Sequence, residues 1–530
     1  MYYQEEFNEE EKKILLNHFT NVDKPVFCLI NLPEVVKGAL FARYSRSPKS
    51  LRRLFLDEFW NDGDTVDSYK MDSSKAEDLY DRVFNQYGDD SVAQLGAAHI
   101  ACEQSSNILT KVLEWGRMAS YLEQSTRYIY YDRKLGDNYR YVIPPEIGNS
   151  HLKEKYVEVM DEIFLLYSEL VRSLVAVYRE KFPKEEGVST MAYNGTMRAK
   201  ACDVARYFLP TSTMSNVGIF ASGQSYEQMI MKMRIHHSKE VRQYADMMLI
   251  ELRKVIPSFL KRVDVENRGI EWSNYMRSSR ENIENYTNKA LGTAVGDTSQ
   301  GVLLVDWERN AERKIAASCL YSVSSKSAQE LSRYVDKLTD EEVRKILLEY
   351  SGKRNNRRHK PGRAFESSYY TFDILSDYGA FRDLQRHRLM TIEWQKMSPG
   401  LGFDMPEEVS EVGMKEDCAK LVATSEDLHD LLSRDMPDLR EYALLLGHKV
   451  RYSITMNVRQ AFHLIELRTS KQGHVSYRNI CRKMHELISE EADHKVISEL
   501  MSFVDHDDYE LQRLESEKKQ DRKRIIKAKE

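Results

Sequence analysis

The chain has 530 residues, 42% hydrophobic, 30% charged and 10% aromatic, the proportions of a folded protein of two to four domains. Twenty-three glycines and 12 prolines are too few for a collagen, a mucin stalk or a long disordered linker. A net charge of −5 supplies no global basic field for nucleic acid, and six scattered cysteines with no CxxC argue against a zinc module or disulfide scaffold and for a reducing, cytoplasmic setting.

In chain order, VFCLINLPEVVKGALFARYS (26–45) predicts a short strand and then a helix, and YRYVIPP (139–145) a strand. Residues 153–182 place Val159, Ile163, Tyr167, Leu170, Leu174 and Val177 at three- and four-residue steps, one apolar helical face. Residues 241–262 read as a further amphipathic helix, and the polar stretch between about 270 and 300 as a turn-rich join. Beyond it VLLVDWERNAERKIAASCLYS (302–322) repeats the opening strand and helix, with Lys37, Ala39, Tyr44 and Ser45 matching Lys314, Ala316, Tyr321 and Ser322 at one constant offset, 314−37=277. RYSITM (451–456) predicts a strand and 477–500 a helix. The acidic start is the wrong charge for a signal peptide, and no run approaches the ~20 apolar residues of a membrane span. Two later echoes support a degenerate tandem duplication: TKVLEWGRMAS faces RDLQRHRLMT, with Arg117 opposite Arg388, and EQMIMKMR faces FHLIELR, with Arg234 opposite Arg468. The expected architecture is α+β, two tandem repeats of a small, mostly antiparallel sheet with long flanking helices. Residues 1–280 form the first, 281–515 the second, and 516–530 a basic tail that reads as a solvated helix end.

Three clusters carry chemistry. Arg386-His387-Arg388 places two guanidiniums around an imidazole and suits an anionic cofactor, although an exposed basic turn uses the same residues. MNVRQAFHLIELR brings Asn457, Arg459, His463 and Arg468 onto one helix, with Arg459 and His463 as i,i+4 neighbours, and His474 follows. Glu123-Gln124-Ser125-Thr126-Arg127-Tyr128 offers hydroxyls, consecutive N–H groups and a guanidinium, a cradle for a phosphate monoester. Arg206 in VARYFLPTST is a further cation. His236-His237 is not a metal pair, because adjacent helical histidines diverge by ~100° and lack companion ligands.

Together these clusters resemble the flavin-dependent thymidylate synthase family, most closely at EWGRMASYLEQSTRY, ARYFLPTST, QRHRLMT and NVRQAFHLIELR. The departures are complementary. The first half has Trp115-Gly116 for the signature's Arg-His and Ser222-Gly223-Gln224 for its Asn-x-Arg, but keeps Arg117, Ser120, the loop and Arg206. The second keeps Arg-His-Arg and Asn-x-Arg, but has Thr391 for the signature serine, WQKMSPG for the nucleotide loop and Glu441-Tyr442 for the Ala-Arg pair. The resemblance implies reductive methylation of dUMP to dTMP with FAD as cofactor, methylenetetrahydrofolate and NADPH as co-substrates, and a homodimer forming a pseudo-tetramer of composite sites. It assigns Arg117, Glu123, Gln124, Ser125, Thr126, Arg127 and Arg206 to the nucleotide. Arg386, His387, Arg388, Asn457, Arg459, His463 and His474 fall to the flavin, and Arg468 with His387 to catalysis. Another flavin- and folate-dependent pyrimidine modification and a non-catalytic nucleotide-binding or scaffolding paralogue stay open as alternatives.

Overall fold

A computed structural model describes residues 5–25, 27–44, 47, 49–60, 94–292, 296–299, 301–511 and 518. The expected basic tail, Lys518 apart, lies outside the described residues. The first repeat runs β1 (Ala97–Ser106), α1 (Asn107–Leu113), β2 (Ala119–Glu123), α2 (Lys153–Lys181), α3 (Thr190–Ala205), β3 (Met214–Ser222), α4 (Gly223–Arg234) and α5 (Lys239–Arg253). The second begins with β4 (Val302–Trp307) and continues as β5 (Tyr369–Asp377), α6 (Tyr378–Gln385), β6 (Thr391–Trp394), α7 (Lys415–Asp435), β7 (Lys449–Asn457), α8 (Val458–Arg468) and α9 (Val475–Glu490). One sheet is ordered β1-β3-β2; the other repeats that order as β5-β7-β6, with β4 added at the β5 edge. All registered pairings, β2 on β3 and β5 on β4 and β7 among them, are antiparallel. The α+β tandem read from the sequence is the architecture found.

Strand and helix follow from different periods. In β7 the buried residues Val450, Tyr452, Ile454 and Met456 alternate with half-exposed ones, the period of two that a one-sided strand requires. In α2 Val159, Ile163, Tyr167, Leu170 and Leu174 turn inward as the spacing predicts, joined by Tyr156 and Tyr178, while the expected Val177 is only half-buried and Tyr178 takes its place. At four equivalent strand-to-helix junctions a short polar side chain caps the helix: Ser106, Ser222, Asp377 and Asn457 accept from the N–H groups of Leu109, Ser225, Ala380 and Gln460.

The chain divides into two compact units that do not follow the repeat boundary. One holds residues 1–103, 116–123 and 216–293; the other holds 104–115, 124–215 and 294–530. The second unit therefore contains parts of both repeats, joined about a local pseudo-twofold. Thr211 N–H donates to the Leu444 carbonyl, and Leu446 N–H donates to that of Leu209, each at 2.8 Å. Pro210 bridges Leu445 between them. These bonds exchange under an offset of 235 (445−210), the same that relates the caps Ser222 and Asn457. For the earlier junction Ser106 and Asp377 give 271, the offset of Arg117 and Arg388. The offset of 235 corrects two expected pairings by one residue. Arg206 stands opposite Glu441, not Tyr442, and Arg468 opposite Met233, not Arg234.

Other expectations differ in detail. YRYVIPP forms no strand: Tyr141 makes one isolated bridge to Thr213, and the Pro144-Pro145 pair starts a single helical turn. Leu29 likewise only bridges Phe19. The helix expected over 241–262 ends at Arg253, and Pro257, which lacks an N–H, starts a 3-10 segment to Asp264. The last expected helix starts at Val475, ends at Glu490 and resumes over Lys495–Leu500. The polar join is mostly a helix, Glu271–Leu291, without one buried residue, and Gly292 at φ +67° ends it. Among the described residues no helix is long and apolar enough to cross a membrane.

Gly447 donates to the Tyr207 carbonyl at 2.8 Å. A Cβ at this position would come within 2.5 Å of the Phe403 ring and 3.0 Å of that carbonyl oxygen. Gly447→Ala should cost about 1–3 kcal/mol of stability, read as a lowered urea midpoint with the slope unchanged.

Candidate functional site

Within the second unit four helix ends deliver polar side chains to one place, three of them arginines. Arg206 caps the C-terminus of α3, Arg386 that of α6, and Arg468 is the last residue of α8. The negative end of a helix dipole favours a cation at each of these positions. The fourth is the N-terminus of α9, where His474 is the cap and Tyr477 lies one turn in.

Asp383 is the common partner. Its carboxylate lies 3.5 Å from Arg206 Nη1 and 3.5 Å from Arg468 Nη1, and its main-chain carbonyl accepts from Arg468 Nη2. Burial would raise its pKa, but the guanidiniums of Arg386, Arg468, Arg206 and Arg127 overcome that and hold it well below the usual carboxylate range. Asp383 is therefore a fixed anion among four cations.

Each arginine is held differently. Arg127 is bidentate on Asp203, at 2.7 and 2.9 Å, and donates to Tyr477 Oη at 3.0 Å and to the Gln472 carbonyl at 3.4 Å. Arg468 Nε donates to His387 Nε2 at 2.8 Å, which leaves the imidazole proton on Nδ1. Burial, then Arg468 and His463, push the His387 pKa far below its ordinary value, so it stays neutral and can accept. Arg386 approaches Glu114 at 4.0 Å, and Glu114 is paired with buried Lys111 at 2.5 Å. Arg206 keeps two donors in reserve. It is only 2% exposed, yet its Nε and Nη2 have no hydrogen-bond acceptor. A buried guanidinium with two idle donors is costly unless an anion completes it.

The other predicted residues divide. Ser125 Oγ accepts the Arg127 N–H at 3.3 Å, so one donor of the expected cradle is used inside the turn. Gln124 and buried Thr126 flank it. Arg117, exposed, and Glu123, buried, belong to the first unit. Arg388 is exposed. His463 meets His387 edge-on, ring centres 5.3 Å apart. Asn457 caps α8, while Arg459 donates to the Pro361 carbonyl at 2.9 Å and to Glu366 at 3.2 Å. His474 Nδ1 accepts from Ser476 N–H, and its Nε2–H donates to the Asp203 carbonyl at 3.0 Å.

Sequence reasoning missed Asp203, Asp383 and Tyr477. Both carboxylates sit in the same pattern, Asp203-Val-Ala-Arg206 and Asp383-Leu-Gln-Arg386, an i,i+3 signal that was available. It also missed the basic run KRNNRRHKPGR (353–363).

The counterpart positions carry none of this. The offset of 235 puts Glu441 in Arg206's place, and that of 271 puts Ser398, Val112, Trp115 and Gly116 in those of Arg127, Asp383, Arg386 and His387. The Glu441 carboxyl accepts the Met397 N–H at 2.7 Å, and burial pushes its pKa up.

A family model described as thymidylate synthase complementing protein matches residues 40–258 and 303–493. A UPF0159 protein of Chlamydia muridarum is 35% identical over 521 residues, covering 97% of this chain and 98% of the relative. A flavin-dependent thymidylate synthase of Clostridium tetani is 27% identical over 177 residues, 33% of this chain and 66% of that one. A crystal structure of a UMP/dUMP methylase from Streptomyces cacaoi aligns with 38% of this chain and 93% of its own at TM-score 0.31 and 16% identity.

Burial and the neighbouring arginines lower the His474 pKa to about 3 and burial and nearby cations that of His463 to about 4, from 6.5. The folded state then binds fewer protons than the unfolded chain, so stability present above pH 6.5 is lost as pH falls, by ~1.4 kcal/mol per pH unit for each imidazole. Asp377, raised by burial from 3.8 to about 6, has the opposite sign and offsets one imidazole between those values. His474→Asn keeps a capping side chain but removes the titration. Its Tm should fall less steeply than wild type between pH 6.5 and pH 4.5; equal slopes would mean that His474 is not held neutral.

Proposed function

Because the chain belongs to the thymidylate synthase complementing protein family, we propose that it catalyses the FAD-dependent reductive methylation of dUMP to dTMP, with methylenetetrahydrofolate supplying the carbon and NADPH the electrons. The observation that carries this reading is Arg206, buried with Nε and Nη2 unused. The phosphate of dUMP is the anion that would complete it, with the turn Gln124–Tyr128 supplying hydroxyl and main-chain donors. Arg127, fixed by Asp203 and Tyr477, positions that turn against α3.

Arg468 is the residue for charge that develops on the pyrimidine. Asp383 and neutral His387 hold its guanidinium before any substrate arrives, and a preorganised donor of this kind is worth roughly 3 kcal/mol in a transition state. The donor set suits a flavin dinucleotide. His387 and His463 offer uncharged, edge-packed rings, while Arg386 and exposed Arg388 supply cations beside them. FAD, when bound there, supplies the hydride that reduces the transferred carbon; the protein contributes orientation and charge. The cations at Arg127, Arg206, Arg386 and Arg468 are missing from the counterpart positions, which carry Ser398, Glu441, Trp115 and Met233. Each chain therefore carries one nucleotide site, and a homodimer would be a pseudo-tetramer with two.

Titration calorimetry with dUMP should give one nucleotide per chain. Arg206→Ala should weaken binding about 10- to 100-fold, the loss of one or two charge-assisted hydrogen bonds at ~1.5–3 kcal/mol, and should abolish dTMP formation. Wild-type protein that binds no dUMP, or a variant that binds it equally well, would sink the reading.

A further inference from the structure

One of the two idle donors of Arg206, Nη2, faces the start of α6. Gly379 lies there without a side chain: a Cβ in its place would stand 3.2 Å from Nη2 and 2.9 Å from Asp377 Oδ1. The guanidinium and the Asp377 carboxyl therefore meet across a bare glycine. No hydrogen bond joins them, since Nη2 has no acceptor. Nη1, by contrast, is engaged, 3.5 Å from Asp383. Asp377 is thus a buried ionisable group at the anion site to which the proposed reaction gives no role.

The carboxyl is fixed but not saturated. Oδ1 caps α6 by accepting the Ala380 N–H at 2.8 Å, and Oδ2 accepts the hydroxyl of Ser476 on α9. Each oxygen of a carboxylate has a second lone pair. Asp377 is 1% exposed. Burial, with Asp404 as a nearby like charge, lifts its pKa to about 6 against the pull of Arg206 and of its hydrogen-bond donors. The other ionisable groups in its field, Tyr207 just beyond α3 and Tyr452 on β7, are phenols that burial pushes upward, so neither titrates near neutrality. A cavity of about 580 Å³ lined by Tyr207, Ser376, Asp404 and Ser476 brings solvent up to the residues around the carboxyl, which gives a proton a way in.

Carboxyl, gap and guanidinium occur together on one side of the pseudo-twofold and are all absent from the other. The offset of 271 puts Ser106 in the place of Asp377 and Ile108 in that of Gly379, where Glu441 stands for Arg206. We propose that Asp377 is a second receptor for the anion at Arg206, and that the anion is bound together with one proton, shared between the carboxyl and a phosphate oxygen across Gly379. The proposal rests on the reading that Arg206 holds a nucleotide's phosphate. A phosphate dianion set against an ionised carboxyl in a buried site repels it strongly. One proton between them replaces that repulsion with a short charge-assisted hydrogen bond. The second ionisation of a phosphate monoester also falls at about 6, so the two groups are matched in proton affinity. Apart, and above pH 7, both are ionised. On binding, one proton leaves solvent and comes to rest between the phosphate oxygen and Asp377 Oδ1, and no other bond changes.

The test is titration calorimetry of the full chain with dUMP and, separately, with ribose 5-phosphate, in buffers of different ionisation enthalpy, which counts the protons taken up. Wild type at about pH 8 should take up close to one proton per ligand, and its affinity should fall about tenfold per pH unit above pH 7. Asp377→Asn keeps the helix cap but cannot take a proton. Its uptake should drop to near zero, and its affinity should change less than about twofold over the same range. Gly379→Ala fills the gap with a methyl group and should weaken both ligands at least about tenfold. Uptake near zero in wild type overturns the proposal, and that count stands even where a variant fails to fold. One proton still taken up by Asp377→Asn overturns it too, as does Gly379→Ala binding as tightly as wild type. Ribose 5-phosphate bound with its proton while dUMP is not bound would reject the proposed nucleotide and keep Asp377 as the anion's receptor; a wild type that binds neither rejects both.

Discussion

Asp383 is a carboxylate kept out of bulk water in the field of four guanidiniums, and the arrangement around it follows from keeping that charge ionised. Alone, such a group would cost several kcal/mol to bury and would take up a proton. With Arg206 and Arg468 each at 3.5 Å it remains an anion, and in return it lets mutually repelling arginines occupy one pocket. The chain places three of those arginines, Arg206, Arg386 and Arg468, at helix C-termini, where main-chain carbonyls add to the stabilisation. His387 contributes by being neutral. A protonated imidazole would repel Arg468, and burial makes protonation unfavourable.

The cations around this anion come from both repeats. Arg127, Asp203 and Arg206 lie in the first; Asp383, Arg386, His387, Arg468 and Tyr477 lie in the second. They can meet because segments 207–211 and 444–447 exchange main-chain hydrogen bonds symmetrically, which turns two sequence-distant helix ends toward each other. Symmetry of backbone with asymmetry of side chain is the organising feature. The same fold is built twice, and equivalent positions in the two copies carry different side chains, Arg206 against Glu441 and Arg386 against Trp115. At Glu441 the substitution is self-consistent: its carboxyl accepts the Met397 N–H of the loop corresponding to the first repeat's turn, closing locally what Arg206 leaves open.

Much of this was legible in the sequence, and the gaps have physical causes. Helix α2 and strand β7 follow from periodicity, because each has one buried face, and the duplication follows from three sequence echoes in the same order. The join over Glu271–Leu291 was misread because a helix polar all round leaves no apolar stripe to detect. The repeat alignment slipped by one residue at Arg206, where the leucines around ARYFLPTST and EYALLLGH match almost as well in either register, and again at Arg468, where both helices end in arginine one position apart; main-chain pairing and the equivalent caps decide it. Arg127 and Arg206 could be named from their motifs. That one is fully engaged and the other has idle donors depends on Asp203 and Tyr477, which are distant in sequence. That Asn457 caps its own helix and Arg459 holds the Pro361 carbonyl could not be read from their motif, because both partners are set by the fold.

The joining of two half-sites in one polypeptide also has a genetic consequence. In an assembly of identical subunits, every copy must retain every functional residue, since a loss in one gene product is a loss in all. Tandem fusion removes that requirement, because each repeat is synthesised with its complement attached and at a high effective concentration. Losses such as Arg206 to Glu441 then become tolerable on one side only, and each makes the next harder to reverse. On the proposed reading neither repeat would hold a full set from which an independent gene could be recovered, and the linker at the centre of the chain would be as indispensable to inheritance as the arginines themselves.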